Sequence, residues 1–213
     1  MKGAPLSLCC HNLGCVRGGR ILFARLDVDI GAGEALRVVG DNGCGKTTLL
    51  RMLTGLGRPD AGQVLWHGAD VRAAHSPYRA ELLYLGHAPG IKAELTAWEN
   101  LVCLDLLAGA AGEAAARAAL ARVGLGAQAD VPARALSQGQ RRRAALARLH
   151  LPRRRAVWIL DEPFVGLDAG AAAALDAAMA AHRAGGGIVV YTTHQDAGPA
   201  DARALRLGTG TAC

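Results

Sequence analysis

Gly40-Asp41-Asn42-Gly43-Cys44-Gly45-Lys46-Thr47 fits the pattern G-x-x-x-x-G-K-[ST] and stands between an apolar run, Ala35–Val39, and a helix-forming stretch, 47–56. Glycines at these positions let backbone N–H groups converge on phosphate oxygens, and the helix that follows adds the positive end of its dipole. Lys46 is placed to reach the β and γ phosphates of a nucleotide, and Thr47 to offer a hydroxyl to Mg²⁺. Gly40, Asp41, Asn42, Gly43, Cys44, Gly45, Lys46, Thr47 and Thr48 are therefore the candidate phosphate contacts. Cys44 admits two readings. It is a small side chain filling a small space, or a thiol drawn toward its thiolate, and so toward alkylation, by the helix N-terminus and Lys46.

Working outward, short apolar runs bounded by glycine recur at 21–30, 35–39, 64–66, 82–85, 157–160 and 188–191, and these predict strands. Helical stretches are expected at 47–56, 96–108, 113–123, 138–150 and 170–182. Strand, glycine loop and helix in alternation argue for an α/β fold with a largely parallel sheet. The segment from about 92 to 135 offers no strand candidate, so a helical subdomain inserted into one domain spanning 1–213 is expected. The run Val157–Leu160 ends in Asp161-Glu162. Adjacent strand residues face opposite ways, which lets Asp161 hold Mg²⁺ through its water shell while Glu162 polarises an attacking water as general base.

The 213 residues carry 24 Lys and Arg against 18 Asp and Glu, a net charge of +6, and 51% are hydrophobic. That is enough to bury the core of one globular domain and excludes disordered, collagenous and acidic-tail classes. The longest apolar stretches, 101–111 and 169–181, are alanine-rich and broken by Asp105 and Asp176, so no membrane span is expected. The N-terminus lacks the apolar stretch of a secretory signal, which predicts a cytoplasmic chain. Six cysteines, at 9, 10, 15, 44, 103 and 213, form no C-x-x-C pair and have no histidine at zinc-finger spacing, so neither disulfides nor a structural metal is expected.

Leu136-Ser137-Gln138-Gly139-Gln140 opens a predicted helix, with Ser137 24 residues before Asp161. This stretch resembles the signature motif of the ATP-binding cassette (ABC) ATPases. Val165-Gly166-Leu167-Asp168 resembles that family's D-loop, and Thr193-His194 its switch histidine. The resemblance implies a P-loop NTPase core with a mainly parallel sheet, an antiparallel β layer and the inserted helical subdomain. It also implies ATP and Mg²⁺ as ligands and a homodimer, in which Ser137, Gly139 and Gln140 of one copy face nucleotide held by the other. Asp168 joins these contacts, and His194 senses the γ-phosphate.

A narrower resemblance lies in residues 82–101, in Arg17-Gly18-Gly19-Arg20-Ile21-Leu22-Phe23 and in Val64-Leu65-Trp66. These are similar to the ATPase subunit of the cytochrome c maturation transporter, the CcmA type described as a haem exporter. That resemblance implies integral membrane partners of the CcmB type and a peripheral place on the cytoplasmic face of a bacterial inner membrane. Two positions depart from the general cassette. His87 stands where a glutamine usually links Mg²⁺ and attacking water to the membrane subunit, and is read either as a catalytic substitute or as structural. Arg17 stands where an aromatic usually stacks on adenine. Its planar guanidinium either does the same or is a solvated charge. Arg141-Arg142-Arg143 and Arg153-Arg154-Arg155 are read as solvated faces, with nucleotide or anionic lipid contact as the other possibility. Few aromatics accompany them, so nucleic acid is not an expected partner. An ATPase for another transported substrate, or a non-transport cassette acting on nucleic acid or ribosomes, remains open as an alternative.

Overall fold

The computed structural model describes residues 7–73, 77–105, 112–152 and 155–208. They group into two compact units, one comprising Met1–Tyr84, Arg155–Glu162 and Met179–Cys213, the other Leu85–Arg154 and Pro163–Ala178.

The first unit holds two sheets. An antiparallel sheet runs β2-β1-β4-β5, with β1 at Ser7–Arg17, β2 at Arg20–Gly31, β4 at Ala61–Trp66 and β5 at Ala69–Asp70. The turn Gly18-Gly19 closes its first hairpin, pairing Arg17 with Arg20. The second sheet runs β6-β7-β8-β3-β9, with β3 at Ala35–Val39, β6 at Leu82–Leu85, β7 at Val157–Leu160, β8 at Ile188–Thr192 and β9 at Arg203–Arg206. Its β7–β8, β8–β3 and β3–β9 pairings are all parallel. Helix α1 (Lys46–Leu53) packs Leu49, Leu50 and Met52 into one core with Leu36 and Val38 of β3, Ile159 of β7 and Val190 of β8. The short α2 covers Tyr78–Glu81.

The second unit is helical. It contains α3 (Ala97–Asp105), α4 (Glu113–Arg122), α5 (Gln138–Leu146) and the start of α6 (Ala169–Ala184). Ala97, Leu101, Leu120, Leu125 and Ala144 form its own core. Arg117 fastens α4 by donating to Glu113 at 2.7 Å and to both oxygens of Asp130 at 2.5 and 2.8 Å, with its guanidinium over the Trp98 ring.

Several expectations shift in detail. Strand β1 is absent from the sequence reading because His11-Asn12 and Gly14 break its alternation; the structure absorbs them as register shifts, with Asn12 left-handed at φ 50°. The helix expected over 138–150 is α-helical only to Leu146, then tightens into a 3₁₀ turn over Ala147–His150. Leu151 must be extended ahead of Pro152, which ends the helix there. Residues 106–108 of the helix expected over 96–108, Arg153, Arg154 and Cys213 lie outside the described residues. Among those described, no helix is long and apolar enough to cross a membrane. Cys9, Cys10, Cys15, Cys44 and Cys103 are all free thiols.

Candidate functional site

The loop between β3 and α1 curls around the Lys46 side chain. Its Nζ donates to the Gly40 carbonyl at 2.7 Å and to the Asp41 carbonyl at 3.1 Å. This ties the lysine back onto the loop, where the Cys44 N–H also donates to the Asp41 carbonyl at 3.2 Å. Glycine is required at Gly40 by more than conformation. Its φ is 149°, and a Cβ there would stand 2.4 Å from the Leu207 carbonyl oxygen and 2.7 Å from Cys44 Sγ. The last contact also places the cysteine. Cys44 is buried in the core, which favours the first of its two readings, a small side chain filling a small space, over the reactive thiolate. Asp41, Asn42, Gly43 and Thr47 are exposed, and Thr48 is half-buried.

A continuous set of polar contacts leads from the loop to the ends of β7 and β8. Thr47 Oγ1 donates to Asp161 Oδ2 at 2.8 Å, and Thr192 Oγ1 donates to Asp161 Oδ1 at 2.9 Å. The same Thr192 hydroxyl accepts the Glu162 backbone N–H at 2.8 Å. His194 Nε2 lies 3.4 Å from Glu162 Oε1. Register explains the meeting: Leu160 pairs with Tyr191, so the next residues along parallel β7 and β8 are Asp161 and Thr192. Asp161 and Glu162 are both buried, and the charge of Asp161 joins burial in pushing the Tyr84 phenol above its ordinary value, partly countered by Arg51.

Strand alternation is not what sets the two acids apart. β7 ends at Leu160, and Glu162 has the left-handed φ of 51°. A side chain with this backbone is strained by about 1 kcal/mol or more, and here the Thr192 hydroxyl holds the peptide in place. Thr192 was not singled out from the sequence; the signal was a hydroxyl ending a fully apolar run. The hydroxyl of Thr47 and the carboxylate of Asp161 are hard oxygen donors in contact with each other, a donor set that suits Mg²⁺ with most of its waters kept.

In the second unit, Ser137 is the N-cap of α5. Its Oγ accepts the Gln140 N–H at 3.2 Å while Gln140 Oε1 accepts the Ser137 N–H at 2.8 Å, a reciprocal capping box. Gln140 thus has a structural partner at its carbonyl end, and Ser137 is exposed with its hydroxyl proton still available to donate. Gly139 sits in the first turn, where a Cβ would approach the Gly166 carbonyl at 3.2 Å. Asp168 caps α6, accepting the Ala171 N–H at 2.8 Å. His87 is exposed, and its carbonyl oxygen accepts from Arg142 at 3.2 Å. Arg142 is buried, contrary to the expectation of a solvated basic face: it leaves α5 to bind the backbone of Gly86 and His87, so its charge is spent on fixing that loop. Arg143 likewise donates to the Val123 carbonyl, and Arg155 to that of Ala80.

Arg17, in the first unit, is half-exposed and held at its edges. Its Nη1 donates to the Val16 carbonyl at 2.7 Å and to Asp60 Oδ2 at 3.1 Å, and its Nη2 to the Arg58 carbonyl at 3.4 Å. Edge contacts of this kind fix the plane of a guanidinium without using its faces.

Comparison with known proteins adds three findings. A profile of the ABC transporter family matches residues 23–165. The chain is 48% identical over 198 residues to the cytochrome c biogenesis ATP-binding export protein CcmA of Aromatoleum aromaticum, covering 92% of each chain. It is 49% identical over 204 residues to the CcmA 2 protein of Salmonella paratyphi A, covering 95% of this chain and 97% of that one. In fold it is similar to an ABC transporter ATP-binding protein from Pyrococcus furiosus, with a TM-score of 0.80, 21% identity and coverage of 94% and 97%. It is also similar to a dimeric ATP-binding cassette in a post-hydrolysis state with ADP and phosphate, with a TM-score of 0.83, 22% identity and 95% of each chain covered.

Proposed function

The chain belongs to the ABC transporter family, and within it we propose that it is the ATP-hydrolysing subunit of a transporter for c-type cytochrome biogenesis, serving haem export or delivery. The single observation that carries the catalytic part is the run of contacts from Lys46 and Thr47 through Asp161 and Thr192 to Glu162 and His194. Lys46 and the loop N–H groups from Gly40 to Thr48 bind the triphosphate of ATP. Glu162 orients and deprotonates the attacking water, and His194, beside its carboxylate, contacts the γ-phosphate end. Thr47 and Asp161 would hold Mg²⁺, which would supply charge neutralisation on the phosphates. The Arg17 face stacks on the base.

Two copies meet head to tail, so that Ser137, Gly139 and Asp168 of one copy close on nucleotide in the loop of the other. The exposed hydroxyl of Ser137 at a capped helix N-terminus suits that anion. Closure drives integral membrane subunits of the CcmB type on the cytoplasmic face of a bacterial inner membrane, docked near residues 87–98, at the entry to the helical segment inserted at about 92–135. His87, held there by Arg142, couples the two events. These readings of the assembly rest on the relatives' names and on the family pattern at these positions.

The test is to replace the chromosomal gene with one encoding Glu162→Gln. The purified variant is expected to bind ATP as tightly as the parent, to form a stable ATP-bound dimer and to lose turnover by at least 100-fold. The host is expected to lose haem attachment to c-type cytochromes. Near-normal hydrolysis would remove Glu162 from the mechanism, and normal cytochrome maturation in a strain lacking the gene would overturn the biological role.

A further inference from the structure

The outer face of the antiparallel sheet brings together three side chains that no phosphate chemistry uses. Along β1, Leu8 and Cys10 point into the core, which turns Cys9 and His11 to the opposite face. Cys9 pairs directly with Asp29 of β2, and Leu65 of β4 is its partner on the other side. The thiol of Cys9, an imidazole nitrogen of His11 and a carboxylate oxygen of Asp29 all lie within 4.8 Å of one another. Cys9 is buried, while His11 and Asp29 are exposed, so the cluster has a floor and an open side.

From this geometry we propose a binding site for a borderline divalent transition metal of the Zn²⁺ class, ligated by Cys9, His11 and Asp29, with a fourth position open to solvent. A sulfur, an imidazole nitrogen and one carboxylate form a donor set that suits Zn²⁺ and its neighbours and does not suit Mg²⁺ or Ca²⁺. Tetrahedral coordination with bonds of about 2.0–2.3 Å places donor atoms about 3.5 Å apart. The cluster therefore needs to contract by about 1 Å, which exposed His11 and Asp29 side chains can supply by small rotations while the strand pairing holds Cys9 still.

Charge favours the ion as well. Asp27 Oδ1 stands 3.8 Å from His11 Nδ1 on the same face, placing a second carboxylate next to the imidazole. Without metal, burial and the neighbouring Asp29 carboxylate favour the protonated Cys9 thiol. On binding, the Cys9 S–H bond breaks, its proton passes to solvent, and the sulfur electron pair forms the bond to the ion. No redox change is involved. The formal charge of thiolate plus Asp29 then balances that of the divalent ion.

Co²⁺ is a spectroscopic probe for such a site. Titrating nucleotide-free, reduced, full-length protein with Co²⁺ alone is expected to give a thiolate-to-cobalt charge-transfer band at one equivalent, together with visible bands of tetrahedral intensity. Zn²⁺ should then erase them. Cys9→Ala should abolish the charge-transfer band, His11→Ala and Asp29→Asn should each weaken Co²⁺ binding at least tenfold, and Cys10→Ala and Asp161→Asn should leave the band intact. Circular dichroism confirms that each variant is folded, and Cys9→Ser offers a second substitution at the sulfur position should Cys9→Ala misfold. No charge-transfer band at saturating Co²⁺, or a band that survives in Cys9→Ala, would overturn the site.

Discussion

Thr192→Val separates shape from hydrogen bonding at the centre of the catalytic arrangement. Thr192 is fully buried, donates to Asp161 Oδ1 at 2.9 Å and accepts the Glu162 N–H at 2.8 Å. Valine has nearly the same shape, so no cavity opens and the change reads the hydroxyl alone. A hydrogen bond to an ionised carboxylate contributes about 1.5–3 kcal/mol, and removing the partner of a buried N–H costs about 1–3 kcal/mol. Together the loss is about 2.5–6 kcal/mol, a large share of the ~5–15 kcal/mol that holds a domain folded. Thr192→Ser keeps the oxygen and deletes one methyl, which costs about 1 kcal/mol. Urea denaturation should therefore rank the parent above Ser and Ser well above Val, whereas packing alone predicts Val above Ser. Steady-state ATP hydrolysis should follow the same order, because Glu162 loses the anchor of its left-handed peptide: at least tenfold lower in Val, within about threefold of the parent in Ser. A Val variant as stable or as active as Ser would refute the reasoning.

Three further outcomes follow from the same geometry. Gly40→Ala should destabilise the protein by about 2–4 kcal/mol and weaken ATP binding, since a Cβ meets Leu207 and Cys44. Gly43→Ala, with a φ of 78° but open space around it, should cost only about 1 kcal/mol; equal losses in denaturation would show that the loop is not closed against Leu207. Maleimide applied to the folded protein should label half-buried Cys103 ahead of buried Cys44, as read by peptide mass spectrometry, and an ATP-protected adduct on Cys44 would contradict its core position. Finally, the Arg117 hydrogen bonds hold the Asp130 carboxyl below its ordinary value. A depressed folded value means that this pair stabilises fully above the unfolded pKa of about 3.9 and is lost as pH falls through the folded value. Asp130→Asn should thus flatten the acid limb of a stability-against-pH curve below about pH 4, and an unchanged limb would assign acid loss to other carboxylates.

What the sequence disclosed is what short-range pattern can carry. The phosphate loop, the acidic pair and the helix start at Ser137 each sit within a few consecutive residues, and their chemistry depends on backbone geometry that glycine, strand and cap residues dictate locally. Arg142 was unreadable for the opposite reason: its burial depends on carbonyls at Gly86 and His87, 56 and 55 residues away. Cys44 stayed open between two readings because helix dipole and neighbouring charge can be read from order, whereas its burial is decided by Gly40 and the core beneath. Ligand spacing along the chain does not disclose Cys9, His11 and Asp29 either, because hairpin register, not spacing, brings β1 and β2 side chains onto one face.

Register also explains why stability and catalysis converge on one pair of atoms. Every residue of β7 and β8 is buried, so neither strand has the alternation that ordinarily forbids a one-residue slip. Val157–Leu160 and residues 188–190 carry no charged or hydroxyl side chain to mark the register against such a slip. The contact of Thr192 with Asp161 would not survive it, nor would the Glu162 N–H keep its acceptor. The polar pair at the strand ends therefore pins the register by the same roughly 2.5–6 kcal/mol that Thr192→Val should remove. A slipped β8 would carry Thr193 and His194 out of step with Asp161 and Glu162 as well. The hydroxyl that selects one pairing of two featureless strands is thus the one that sets the acidic pair against the phosphate loop.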